Sequence, residues 1–345
     1  DLPSDRLMPA SRGFRFYHEG PRVHEYLREF RHDVLDHYDC MVVGETPMMT
    51  PHHAHEFLAE GPDQELDLLF HFQHMEADCS FTEYRPRPFK LRKLKRAFSS
   101  WEAQTGTDMW DALFMENHDR PRVISRYGSE KYRTESGKML AACYLFQQGT
   151  PFVYQGQEIG MTNIRLSTID EYKDVMARNN YADIARRRSD AEAIEVIHRA
   201  SRDSARTPMQ WSDTPYAGFS TVEPWFGVNP NYHEVNVAAE ETDPDSLLNF
   251  YRHAIALRRS EPVVRDGIYH ELCRHSRELY AYERVSDDAR LLVVCSFAEK
   301  AVRFQAPAGY RLEGVEPVLR NYADAPTEDG GFTMRPYETR VYLFR

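Results

Sequence analysis

Four short apolar runs, each stopped by a cluster of polar residues, constrain the fold of this 345-residue chain more than any other feature. Residues 40–43 run into Gly44-Glu45-Thr46, 66–72 end in the stretch from His71 to His74, 112–115 meet Asn117-His118-Asp119, and 151–154 meet the stretch from Gln155 to Glu158. Runs this short and β-branched read as buried strands. Helical periods lie between and before them. Val23, Tyr26, Leu27, Phe30 and Val34 predict a helix with one apolar stripe over roughly 21–37. Met139, Ala142, Cys143 and Phe146 fall at i, i+3, i+4 and i+7, with Gly149 as a helix stop. Strands alternating with helices imply βαβ units and a parallel sheet. Functional-looking residues at successive strand ends are the arrangement of a (β/α)8 barrel, whose sites lie on that face. About four strand–helix units are visible, where a closed barrel takes eight in ~250 residues. The expectation is therefore the C-terminal half of a barrel over residues 1–262, belonging to a longer protein, as a first residue of Asp1 rather than Met also suggests.

The stretch 160–240 is polar and rich in turn formers and reads as long surface insertions. Asp243 and Pro244 look like an N-cap and first helical residue, opening a helix with Leu247, Phe250, Tyr251, Ala254 and Ile255 on one face. The pattern then changes. Short β-rich runs at 279–285, 291–297, 301–305 and 340–344, with a turn signal at Ser286-Asp287-Asp288, predict a small antiparallel β-sandwich domain over 263–345.

Lys and Arg number 43 against 54 Asp and Glu, a net charge of −11 with no basic block, which argues against a nucleic-acid partner. No apolar stretch approaches the ~20 residues of a membrane crossing. Cys40, Cys79, Cys143, Cys273 and Cys295 are odd in number and never at C-x-x-C spacing, which suits a reducing compartment; a cytoplasmic location is expected.

Several residues could carry chemistry. Glu45 follows an apolar strand and a glycine; a carboxyl at a buried strand end has its charged form disfavoured and suits a general acid, although a loop or cap glutamate is the plainer alternative. His118 and Asp119 could hold vicinal hydroxyls and stabilise developing positive charge, or form a structural pair with Arg120 or Arg122. Arg202 and Arg206 would share a face on a helical turn, where forked guanidinium groups could fix a sugar hydroxyl, or make surface salt bridges. His52, His53 and His55 lack the i, i+4 spacing of a helical metal pair, so no metal site is expected there. Trp101, Trp110, Trp211 and Trp225 could floor a sugar site or fill the core.

Taken together, these segments resemble the α-amylase superfamily of glycoside hydrolases, in its oligo-1,6-glucosidase and α-glucosidase branch. The matching stretches run from Gly20-Pro21-Arg22-Val23-His24 and Val43-Gly44-Glu45-Thr46-Pro47 through Glu116-Asn117-His118-Asp119 with Pro121-Arg122. They continue through Gly149-Thr150-Pro151, Tyr154-Gln155-Gly156, Ile159-Gly160-Met161-Thr162-Asn163 and Arg206-Thr207-Pro208-Met209-Gln210-Trp211 to Val228-Asn229-Pro230-Asn231-Tyr232. The resemblance implies retaining hydrolysis of α-1,6 or α-1,4 glucosidic bonds in short oligosaccharides, with one carboxyl attacking the anomeric carbon and another protonating the leaving oxygen. Glu45 matches the family's acid/base and Asp119 its transition-state-stabilising carboxylate. His118 matches the hydroxyl-binding histidine, Arg202 the arginine on the terminal glucose, and Arg206 lies in the same motif.

Sucrose isomerases, trehalose-6-phosphate hydrolases, dextran glucosidases and non-catalytic transporter heavy chains share the framework. The partner implied is a small oligosaccharide. No cofactor is implied for this chain, because the family's calcium loop would lie upstream. The nucleophilic aspartate is also missing: Gly13-Phe14-Arg15-Phe16-Tyr17 only faintly echoes its segment. The chain is expected to begin after the nucleophile strand and to be inactive alone. Arg120 and Gln157 stand where relatives often carry Gln and Glu.

Overall fold

The computed structural model of the protein describes residues 20–327 and 330–345, so the Gly13–Tyr17 echo lies outside the described residues. In chain order the elements are α1 (Val23–Asp33), β1 (Val43–Glu45), α2 (Pro51–Leu58), β2 (Leu68–Phe70), β3 (Cys79–Ser80), β4 (Thr82–Pro86) and α3 (Leu91–Asp108). Next come β5 (Ala112–Leu113), α4 (Val123–Arg126), α5 (Arg133–Leu145), β6 (Thr150–Pro151), α6 (Val175–Ala185), α7 (Asp190–Ala200), α8 (Val237–Thr242), α9 (Leu247–Ser260) and α10 (Pro262–Asp266). The remainder is β: β7 (Ile268–Leu272), β8 (Leu279–Val285), β9 (Arg290–Ser296), β10 (Val302–Gln305), β11 (Leu319–Arg320), β12 (Gly331–Met334) and β13 (Thr339–Phe344).

Each of the four apolar runs overlaps a short strand, though the first and last contribute only Val43 and Pro151, and the strands pair in parallel: β1 with β2, Glu45 opposite Phe70, and β5 with β6, Leu113 opposite Pro151. Because the ladders are parallel, their carboxyl ends lie on one side, which brings Glu45, the 116–119 turn and Gln155 towards a common rim.

Helix α5 follows its predicted period but is buried on every side, from Ser136 to Leu145. Its outer face meets the C-terminal sheet rather than water. The helix ends at Leu145, and Arg258 of α9 donates to the Leu145 carbonyl, one of the acceptors a helix end leaves unpaired, and to the Gln147 and Gly149 carbonyls of the turn beyond it. Gly149 sits at φ +134°, and a Cβ there would lie 2.5 Å from the Asp111 carbonyl oxygen, so only glycine lets the chain turn into β6 at this point.

The C-terminal strands form a five-stranded antiparallel sheet, β11-β13-β9-β8-β7, with the β10–β12 pair packed over it. Alternation decides both faces. Leu279, Ala281, Leu292 and Val294 point to Phe304, Phe332 and Met334 of the small pair, while Tyr280, Tyr282, Leu291, Val293 and Cys295 join Phe98, Met139, Tyr144 and Phe250 of α3, α5 and α9. A continuous apolar strand such as β9 is what coverage on both faces requires. The Ser286 turn joins β8 to β9 as read from sequence, with the Ser286 N–H donating to the Ala289 carbonyl.

Three expectations need correction. The 160–240 stretch holds two eleven-residue helices, α6 and α7, rather than insertions alone; the Ser189–Glu192 capping box that opens α7 was a legible signal. Helix α9 starts later than Asp243, with Ser246 as the cap accepting from the Asn249 N–H, and Ile255 drifts off its buried face. Of the stripe read over 21–37, Val23 and Leu27 pack against the described core beneath, whereas Tyr26, Phe30 and Val34 are exposed and the helix ends at Asp33.

Candidate active site

The β5 strand continues into a turn in which the Asn117 side chain accepts from the Asp119 N–H at 2.8 Å, presenting the Asp119 carboxylate. A 3-10 turn, Arg202–Arg206, follows α7 and is capped by Ser201, which accepts from the Asp203 N–H. Its two guanidinium groups converge on one oxygen. Arg206 Nη2 lies 2.7 Å and Arg202 Nη1 3.4 Å from Asp119 Oδ1. Neither is a simple surface pair, since Arg202 also forks onto buried Asp174 at 2.6 and 3.0 Å, and Tyr84 donates to Asp174 at 3.2 Å. Burial would raise the Asp174 carboxyl, but Arg202 and the Met176 N–H outweigh it and hold the group below the ordinary range; the same contact holds the Arg202 guanidinium firmly charged.

Beneath this layer, Arg122 and Glu116 form a fully buried ion pair at 2.8 Å. Glu116 also accepts from the Val123 N–H, and Arg122 donates to the carbonyls of Gln155 at 2.7 Å and Ser204 at 3.3 Å. One guanidinium thus ties the 116–122 loop, the end of β6 and the arginine turn together. Burial pushes the Glu116 carboxyl up, opposed by Arg122.

Glu45, Asp119 and Arg202 line a single cavity of about 290 Å³, walled by Phe72, Glu83 and Tyr84. Glu45 also lines an adjoining hollow of about 200 Å³ that contains His118, Phe114 and Tyr154. Arg206 lines neither and braces Asp119 from behind, its Nε donating to the His118 carbonyl at 3.1 Å. The expected burial of Glu45 is not met. It is exposed at the end of a three-residue strand, and its carboxylate takes no hydrogen bond among the described residues. His118 is likewise 63% exposed, 3.7 Å from Asp119. Trp101 stacks on His71 in the core and Trp110 donates to Thr150, while Trp211 and Trp225 are exposed. His52, His53 and His55 lie on α2, away from the cavity lining.

The profile described as alpha amylase, catalytic domain, matches residues 2–267. The chain belongs to the alpha-amylase family. An oligo-1,6-glucosidase of Parageobacillus thermoglucosidasius is 40% identical over 339 residues, covering 96% of this chain and 60% of the relative. A trehalose-6-phosphate hydrolase of Bacillus subtilis (strain 168) is 38% identical, over 96% of this chain and 60% of its own. Among solved structures, the trehalose-6-phosphate hydrolase of Bacillus licheniformis matches with a TM-score of 0.90 at 38% identity, over 97% of this chain and 61% of that one. The isomaltulose synthase of Klebsiella sp. LX3 matches with a TM-score of 0.87 at 33% identity, over 94% and 59%. This alpha-amylase family chain therefore spans about 60% of the length of the curated relatives it matches.

The residues that sequence reasoning missed in this alpha-amylase family site are Asp174, Tyr84, Glu83 and Met176. Only Asp174 left a local trace, as an N-cap aspartate ahead of α6. Among the described residues no group of three or more His, Cys, Asp or Glu side chains is placed to hold a metal ion.

Proposed function

We propose that the chain carries the proton-donating and sugar-gripping part of a retaining α-glucosidase site, on four strands of a (β/α)8 barrel whose nucleophile lies outside it. The observation that carries the reading is that Glu45, from one strand end, and Asp119, from another, line one cavity with Arg202. In this reading Glu45 gives its proton to the leaving glucosidic oxygen and later takes one from water. Asp119, held rigid by two guanidinium groups, accepts from sugar hydroxyls and stabilises the oxocarbenium-like transition state. His118 contacts a hydroxyl from the adjoining hollow, Arg202 orients the terminal glucose, and Arg206 positions Asp119.

The substrate proposed is a neutral α-glucoside rather than a sugar phosphate. Glu45, Glu83 and Asp119 line the cavity, and its cations are already engaged: Arg120 with Glu83 at 2.6 Å, and Arg202 with Asp174 and Asp119. A phosphate dianion would meet three carboxylates with no unpaired cation among the described lining residues.

Calorimetric titration with deoxynojirimycin, a cationic glucose mimic, tests the site without requiring turnover. Asp119→Asn is expected to weaken binding ~10-fold or more, the loss of a charge-assisted hydrogen bond worth ~1.5–3 kcal/mol. An unchanged affinity would sink the assignment. Turnover of p-nitrophenyl α-glucoside by the 345-residue chain would overturn the placement of the nucleophile outside it.

A further inference from the structure

The Asp174 side chain is buried and does not line the Glu45–Asp119 cavity, yet donors converge on it from three directions. Arg202 Nη2 and the Met176 N–H reach Oδ1 at 2.6 and 3.1 Å, while Arg202 Nε and the Tyr84 hydroxyl reach Oδ2 at 3.0 and 3.2 Å. A carboxylate has about four lone-pair sites, so this one is fully engaged and its orientation is fixed. A buried charge is tolerated only when it is paired and hydrogen-bonded, and Asp174 meets both conditions chiefly through one arginine.

The clamp runs both ways. Buried Asp203, next to Arg202 in the 3-10 turn, accepts through Oδ2 from the Lys173 N–H at 2.7 Å and the Asp174 N–H at 3.0 Å. The turn therefore holds the backbone of 173–174, and the Asp174 side chain holds the head of Arg202. Contacts in opposite directions fix both the spacing of the two segments and the direction in which the guanidinium points.

That direction has a competitor. Arg206 pairs with Asp119 Oδ1 at 2.7 Å, whereas Arg202 Nη1 stops 3.4 Å from the same oxygen. A guanidinium free to turn would fork onto the nearest carboxylate, which for Arg202 is Asp119 once Asp174 is gone. With Nε and Nη2 committed to Asp174, only the Nη1 edge faces Asp119. Both arginine contacts fall on Asp119 Oδ1, which leaves Oδ2 to a ligand.

We propose that Asp174 is a positioning residue of the candidate site: it keeps Arg202 aimed into the cavity and off Asp119, so that both stay open to the hydroxyls of the terminal glucose. The inference rests on the glucosidase reading for the identity of the ligand, and on the hydrogen bonds alone for the aim of the guanidinium. Without the Asp174 carboxylate, the Arg202 head swings onto Asp119 and occupies the lone pairs a sugar needs. Asp174 also caps α6 through the Met176 N–H, so aiming and capping have to be separated. Ser and Asn both serve as helix caps, which makes that separation possible.

The test combines a crystal structure of Asp174→Ser with calorimetric titration of deoxynojirimycin into the full chain, Asp174→Ser, Arg202→Gln and the double variant. Asp174→Ser keeps a cap on α6 and removes the fork. Asp174→Asn keeps both cap and volume, and replaces the serine variant if that one misfolds. Expected is a hydrogen bond between Arg202 and Asp119 in place of the 3.4 Å approach. Binding should weaken about fivefold or more in Asp174→Ser, with less than about a twofold further loss when that change is added to Arg202→Gln. A purely structural role in α6 would weaken both backgrounds equally. That result, an Arg202 head that stays in place, or an unchanged affinity in Asp174→Ser overturns the positioning role. The unsubstituted chain reports the glucosidase reading separately: if it binds no deoxynojirimycin while Arg202 still closes on Asp119 in the variant, the identity of the ligand is wrong and the aiming of Arg202 by Asp174 stands.

Discussion

Arg122→Met is the most severe single test of how this site is held together. Both partners of the Arg122–Glu116 pair are fully buried, 2.8 Å apart. Removing one charge leaves the other desolvated and unpaired, which costs ~3–5 kcal/mol. The variant also orphans the carbonyls of Gln155 and Ser204, so a loss of about 4 kcal/mol is expected, a large share of the 5–15 kcal/mol typical of a folded chain. At an m of ~2–3 kcal/mol/M this lowers the urea midpoint by about 1.5 M. The double variant Glu116→Gln/Arg122→Met removes both charges while keeping an acceptor for the Val123 N–H, and should recover about 2 kcal/mol of that loss.

The deficit also has a defined pH sense. Glu116 already has its carboxyl raised by burial, and losing Arg122 raises it further. Between the unfolded value of ~4.3 and that raised value the native state holds more protons, so the deficit of Arg122→Met grows as pH rises through the window and shrinks as it falls. Urea unfolding followed by tryptophan fluorescence at pH 5 and pH 8 measures it. A single-variant loss under about 1 kcal/mol, or a double variant no more stable than the single, refutes the reasoning.

Two further outcomes are expected. Burial, the neighbouring His71 and the Arg126 charge hold the His74 imidazole well below its usual range. Its contribution is fully present above the unfolded value of ~6.5 and lost as pH falls below it, so His74→Phe should flatten the drop in Tm between pH 7 and 5; an unchanged slope counts against the mechanism. Burial pushes the Cys79 and Cys295 thiols up to about 12 and the Cys143 thiol well above its ordinary value, while Cys40 is exposed. A thiol reagent should label Cys40 first, Cys273 more slowly and the other three only on unfolding; native labelling of Cys143 at the Cys40 rate contradicts the packing.

What was legible in the sequence was whatever depended on local periodicity. The α5 heptad-like spacing, the alternation of β8 and β9 and the Ser286 turn each encode their geometry within a few residues. Glu45 and Asp119 were legible as strand-end carboxyls because a parallel ladder puts such ends on one rim. The partners of those residues were not. Arg202 finds Asp174 across 28 positions and Arg122 finds Ser204 across 82, and no local pattern distinguishes such pairs from solvated charges. The exposure of Glu45 escaped for a related reason: strand burial was read from the apolar run at 40–43, whereas the ladder itself is only Val43–Glu45. Helices α6 and α7 were obscured by a polar stretch whose caps, rather than its hydrophobicity, mark them.

The burial of α5 on every side bears on how the chain could be shortened. A polypeptide stopped after α10 would lose Tyr280, Tyr282, Leu291, Val293 and Val341, and the outward faces of α3, α5 and α9 would become one continuous oily surface. Such a fragment would associate with itself before it could be assayed. For this protein the last eighty or so residues work as the outer wall of the site's own foundation, so engineering aimed at the sugar cavity has to carry that wall along.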